Sequence, residues 1–210
     1  MFKQMTAACA AITLALPIAA QESYPSRPIR LVVPYAAGGA TDFVARTLGD
    51  RLSKSMGQPV VVDNKAGAAG AIGAGEVGRS KPDGYTLLMT ITDSQINNTA
   101  LFKTLAYDPQ KDFVGVTQVV RSPALISTHP GTGIKSIEDL KAKVAKGGAK
   151  LSYGSWGVGG LGHLAGESLN RGLSAGMVHV PQRGEGPVVT DLLSGTIDVG
   201  LSSVPSAMQH

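Results

Sequence analysis

The sequence predicts an α/β protein of two lobes, and three observations carry that prediction. Short apolar runs alternate with segments of helical periodicity, the pattern of parallel strands joined by crossover helices. One local unit, a strand followed by a glycine-rich loop and a helix start, occurs around residues 29–56 and again around 150–169. Between them Arg121-Ser122-Pro123 breaks the chain, which places a first lobe at 24–122 and a second at 123–210.

The opening unit begins with the apolar run Ile29-Arg30-Leu31-Val32-Val33-Pro34, followed by Tyr35-Ala36-Ala37-Gly38-Gly39-Ala40. Val44, Leu48, Leu52 and Met56 then recur four apart, a helical stripe. Thr41 or Asp42 is the expected N-cap, and Gly57 with Pro59 the stop. Pro59-Val60-Val61-Val62-Asp63 reads as a strand buried on both faces. Residues 68–80 read as a helix of small residues, weakened by Gly70, Gly73, Gly75 and Gly78. A turn at Pro82-Asp83-Gly84 leads to a third strand over 85–91, ending in Thr92-Asp93-Ser94. Residues 113–120 and 124–128 are strand-like.

In the second lobe, Ser136-Ile137-Glu138-Asp139 resembles a capping box, and its helix ends at Gly147-Gly148. A strand over 150–155 and a glycine loop over 156–160 precede a helix with an inner stripe of Leu161, Leu164, Ala165, Ser168 and Leu169. A strand over 177–181, a loop over 182–187, a short helix over 188–193 and a strand over 197–201 complete the lobe.

The chain has 210 residues, 43% of them apolar, enough to build a core. Its formal charge of +4 is scattered and only 5% of residues are aromatic, so no nucleic-acid surface is expected. Residues 1–20 read as a secretory signal: Lys3 is the basic start, 7–18 the apolar stretch, and Ala19-Ala20 precede a cut before Gln21. No segment reaches the roughly 18 apolar residues of a membrane span. Cys9, the single cysteine, lies in the signal, so the mature chain is expected in the periplasm without disulfides or thiolate chemistry.

A glycine loop feeding a helix start leaves N–H groups unpaired beside the positive end of the helix dipole, a seat for an anion. An ordinary βα connection has the same pattern. Two such starts, one per lobe, suggest a clamp on a ligand with two anionic ends. Ligands of parallel sheets bind beyond the strands' carboxyl ends, which puts Thr90, Asp93 and Ser94 on the rim beside Gly38-Gly39. Asp42 reads as a cap and as a contact for an amine on the ligand.

Three sharper chemistries are weaker. Gly157 to Gly162 spells G-x-G-x-x-G after a strand, but the next strand ends in Pro181-Gln182-Arg183 with no acid for a ribose, which leaves NADP only through Arg183. Tyr153-Gly154-Ser155-Trp156-Gly157 misses the first glycine of a nucleophile elbow; His163 or His179 would be its base and Asp191 the orienting acid. His163 and Glu167, four apart, lack a third metal ligand. No cofactor and no metal are expected, and the chain is not expected to be an enzyme.

The residues also resemble a known family. Tyr24-Pro25-Ser26-Arg27-Pro28, Gly38-Gly39-Ala40-Thr41-Asp42, Val60-Val61-Val62-Asp63-Asn64-Lys65-Ala66-Gly67, Pro82-Asp83-Gly84-Tyr85, His163-Leu164-Ala165-Gly166-Glu167 and Val178-His179-Val180-Pro181 are similar, in that order and spacing, to substrate-binding proteins of tripartite tricarboxylate transporters, the Bug family. The resemblance implies a two-lobed periplasmic-binding-protein (type II, Venus-flytrap) fold, a small carboxylate ligand, membrane permease subunits as partners and a monomer. Delivery to a signalling receptor is an alternative. It also implies that the loop over 35–42 grips one carboxylate through main-chain groups and waters. The 155–160 loop holds the other end, and residues 183–187 line the cleft. The candidate set is therefore Tyr35, Gly38, Gly39, Thr41, Asp42, Thr90, Asp93, Ser94, Ser155, Trp156, Gly157, Gly159, Gly160, Arg183 and Ser203. Ala36-Ala37 stand where the family has prolines, Gly159-Gly160 where it often has hydroxyls, and Gln182 where an aromatic is usual. The family pattern continues past the last residue here, so the final part of lobe one is expected to be missing.

Overall fold

The apolar runs assemble into two separate sheets in the computed structural model, which describes residues 23–147 and 150–210. The secretory signal read at 1–20 lies outside the described residues. β1 (Ile29–Val33), β2 (Val60–Asn64) and β3 (Thr86–Leu88) form the first sheet, parallel, in the order β2-β1-β3. α1 (Ala40–Met56) and α2 (Ala71–Gly78) are its crossovers. Central β1 is buried, with Leu31 and Val33 packed against Tyr35 and Ala45. β2, expected to be buried on both faces, is an edge strand and leaves Val61 half exposed. α1 covers its other face, where Gly49 lies against Val60.

The buried line of α1 is Asp42, Ala45 and Gly49, turned away from the expected Val44 stripe, because small residues let the helix lie directly on the sheet. The N-cap is Gly39, neither Thr41 nor Asp42, and no side chain of its own caps the helix. The third strand is shorter than expected, and the chain then winds through a π turn at Asp93–Asn97 into α3 (Asn98–Leu101). Residues 113–120 are not a strand. They pair with neither sheet, and Val114 and Val116 stand out in solvent.

The second sheet runs β4-β7-β5-β6 through β4 (Ala124–Thr128), β5 (Ser152–Ser155), β6 (Val178–Pro181) and β7 (Val199–Ser203). β5 lies parallel to both β6 and β7, and β4 runs antiparallel to β7. Its helices are α4 (Ile137–Ala145), α5 (Leu161–Gly172), α6 (Glu185–Leu193) and the short α7 (Val204–Ala207). Ser136 caps α4 as read, its Oγ accepting from the Asp139 N–H at 3.0 Å. α5 buries Gly162 and Gly166, with Ala165 and Leu169 partly covered, and leaves the expected Leu161, Leu164 and Ser168 outside. The glycines seat it on aromatic rings: a Cβ at Gly162 would stand 2.9 Å from Trp156, and one at Gly166 would collide with Tyr153. α6 starts three residues earlier than expected, which draws Glu185 into its first turn. Ile91 packs against the cores of both lobes.

Candidate functional site

The loop before α1 is held by its own carboxylate. Gly38 has φ +85°, a backbone glycine adopts without strain, and its N–H donates to Asp42 Oδ2 at 3.1 Å. Arg46 Nε donates to the same oxygen at 3.0 Å, and Asn64 Nδ2 to Oδ1 at 3.0 Å and to the Tyr35 carbonyl at 3.1 Å. Burial pushes the Asp42 pKa up, but Arg46, the Gly38 N–H and Asn64 outweigh it and hold the carboxyl below its ordinary range. Both oxygens are spent on the loop, so Asp42 builds the turn and is no contact for an amine. Thr41 is half-buried in the first turn.

The start of α1 meets the opposite lobe. The Ala40 N–H donates to Glu185 Oε2 at 2.9 Å, and the Ser203 N–H donates to Glu185 Oε1. The Ala36 N–H donates to the Arg183 carbonyl at 3.1 Å, while the Arg183 side chain stays exposed. A Cβ on Gly184 would lie 2.7 Å from the Ala36 nitrogen, and one on Gly186 would collide with the Ala37 carbonyl, so backbone packs on backbone here.

The rim residues join this contact from below. Tyr35 Oη lies 3.3 Å from Thr90 Oγ1, which lies 2.7 Å from Ser94 Oγ, and burial keeps the phenol protonated by pushing its pKa up. Asn98 Nδ2 donates to the Ala69 carbonyl at 3.1 Å. Ala68 (φ +47°) and Ala69 (φ +49°) carry left-handed backbone between Gly67 and Gly70, a strain of roughly 1–2 kcal/mol per alanine that surrounding contacts hold in place.

Asp93 does not sit beside Gly38-Gly39; it faces the second glycine loop. Fully buried, it accepts at Oδ2 from Trp156 Nε1 (2.8 Å) and at Oδ1 from the Leu161 N–H and Asn97 Nδ2 (3.0 Å each). Burial pushes its pKa up against the pull of the Leu161 and Trp156 N–H groups. Gly157 packs on Ala69, whose neighbour Gly70 packs on Tyr35 and Ser94, and Gly159 packs on Leu101. Both loops therefore border one strip of lobe one. The two helix starts do not take opposite ends of one gap, however: each is met by a carboxylate of the other lobe.

Behind the second loop, Ser155 Oγ donates to the Gly157 carbonyl at 3.2 Å and lies 2.7 Å from His179 Nε2. Asp191 is taken up by Gln182. His163 stacks on His179 with ring centres 4.1 Å apart and accepts the Gly159 N–H at Nδ1 (3.0 Å). Burial and His163 push the His179 pKa down to about 4. Glu167 accepts from Tyr153 Oη at 2.6 Å and is not paired with His163 around an ion site. Among the described residues no group of three or more His, Cys, Asp or Glu is placed to hold a metal.

His163, His179 and the Ala68-Ala69 turn lie outside the candidate set, and Glu185, expected only within the 183–187 loop along the cleft, has a contact of its own. Glu185 binds Ala40 across 145 positions, so no local pattern could show it. The glycines at 67 and 70 were the one signal for the strained turn.

The sequence profile of the "Tripartite tricarboxylate transporter family receptor" matches residues 44–210. The chain belongs to that family. The chain is 39% identical over 180 residues to a UPF0065 protein of Agrobacterium vitis, covering 86% of this chain and 52% of the relative. It is 34% identical over 198 residues to protein BugT of Bordetella pertussis, covering 94% and 60%. It thus spans between about half and three-fifths of these relatives' length. Among solved structures it superimposes on one described as a periplasmic transporter (42% identity, TM-score 0.83, 89% of this chain and 63% of the other). Rpa4515 of R. palustris with adipate (33%, TM-score 0.83, 88% and 62%) and MatC of Rhodopseudomonas palustris with bound malate (32%, TM-score 0.80, 89% and 63%) match as well. The chain shares their two-lobed periplasmic-binding-protein fold.

Proposed function

We propose that this receptor captures a small carboxylate between its two lobes in the periplasm, as a monomer without a cofactor, and hands it to membrane permease subunits. The observation that carries the reading is that both glycine loops lie on the boundary between the lobes, where each helix start donates a main-chain N–H to a carboxylate of the other lobe. Adipate and malate in two solved relatives support it. The ligand carboxylate takes the Gly39 and Ala40 end of the contact, the Gly38 N–H staying with Asp42. Tyr35, Thr41, Thr90, Ser94 and Ser203 border it, with Arg183 at the edge. Asp42 shapes that loop; Trp156, Gly157, Gly159 and Gly160 border the boundary from the second lobe against Asp93, with Ser155 behind them. Each charge-assisted hydrogen bond contributes roughly 1.5–3 kcal/mol, so a handful offsets the cost of ordering and reaches micromolar affinity. Calorimetric titration with malate, adipate and succinate, with the recovered ligand analysed afterwards, tests this. Saturable binding with the acid returned unchanged is expected; no binding by the folded protein, or a converted product, contradicts it.

A further inference from the structure

We propose that Glu185 sets the specificity of this contact: its carboxylate occupies the seat at the start of α1 that a ligand's carboxylate takes, so a ligand binds by displacing it. The inference rests on the carboxylate-capture reading above and deepens it. Two observations carry it. The two oxygens of Glu185 accept from main-chain N–H groups of different lobes, Ala40 at 2.9 Å and Ser203, which is how a bridging ligand carboxylate would be held. The side-chain stem is pressed onto the loop, a Cβ on Gly39 standing 3.0 Å from its own Cβ, so two carboxylates do not fit and would repel.

Asp93, at the start of α5, does the same from the other lobe but is not displaceable. It is fully buried and held by three N–H donors, where Glu185 is partly exposed and held by two. Only one of the two seats can therefore be exchanged. Glu185 competes at the high effective concentration of a tethered group. A one-ended acid such as acetate loses that competition. A two-ended acid wins it, because its second carboxylate adds contacts elsewhere in the cleft.

The test titrates wild type, E185Q and E185D with malate and with acetate, and follows amide hydrogen exchange at Ala40 and Ser203 without added acid. Expected is malate binding about tenfold or more tighter in E185Q, measurable acetate binding only there, and exchange at both amides about tenfold faster. E185D, one methylene shorter, falls between. Malate binding that is unchanged or weaker in E185Q while wild type binds overturns the role of Glu185 and leaves the capture reading standing. A folded E185D no tighter than wild type does the same if E185Q does not fold. Binding by none of the three overturns the capture reading itself, and displacement with it.

Discussion

The units β1–loop–α1 and β5–loop–α5 share one sequence pattern yet differ in what fills their helix starts and in what seats their helices. The first rests on strands through Ala45 and Gly49, and its start is met by the partly exposed Glu185. The second is clamped on the Tyr153 and Trp156 rings through Gly166 and Gly162, and its start is met by fully buried Asp93. A pattern of glycines before a helix thus specifies N–H groups in need of an acceptor. Long-range packing decides whether that acceptor is a fixed part of the fold or an exchangeable one.

The largest difference is expected from the two carboxylates nearest the loops. Asp93→Ala leaves the Trp156 and Leu161 N–H groups buried without an acceptor and is expected to lower stability by about 3 kcal/mol in urea unfolding. Asp42→Ala removes the acceptor of the Gly38 N–H and Asn64 as well as Arg46, but Arg46 is half exposed and water takes over its bond, so the expected cost is smaller, about 1–2 kcal/mol. Equal losses would erase the contrast. Next come the helix seats. Gly166→Ala drives a methyl into the Tyr153 ring and is expected to cost about 2 kcal/mol. Gly49→Ala meets Val60 at 3.5 Å, ordinary contact, and is expected to gain roughly 0.5–1 kcal/mol from helix propensity, read as a rise in Tm.

The pH dependence sharpens the comparison further. His179 titrates lower in the folded chain than its ordinary value, so its contribution is present above about pH 6.5 and is lost as pH falls toward 4. Asp93, raised by burial, contributes most below about pH 4, and that contribution is lost as pH rises through its folded value. Asp42, held low, contributes above about pH 4 and loses its contribution only at more acid pH. Unfolding of His179→Phe is accordingly expected to show a shallower loss of stability between pH 7 and 5 than wild type; an unchanged slope would remove His179 as its source. The smallest effect is at the lobe edge. Ala36→Pro deletes the N–H given to the Arg183 carbonyl and is expected to cost at most about 1 kcal/mol, seen as faster proteolysis between the lobes.

Both strand–loop–helix units and the helix stops were legible in the sequence because local periodicity and turn chemistry decide them. Helix faces were misread where glycine, which carries no hydrophobic signal, is the buried residue: Gly49 in α1, Gly162 and Gly166 in α5. Residues 113–120 carry strand composition, but a strand also needs a partner, and composition does not report one. The candidate site was legible as loops. The roles inside it were not, because Asp93 and Glu185 act across 68 and 145 positions.

Displacement of Glu185 requires that a ligand carboxylate exchange at the α1 start and not at the α5 start. It is tested most directly by following the backbone amide resonances while malate is added. Saturable shifts at Gly38, Gly39, Ala40 and Ser203, with Leu161 and the Trp156 indole still in their bonds to Asp93, are the expected result. Release of Leu161 and Trp156 with Gly38 to Ala40 unmoved would contradict it.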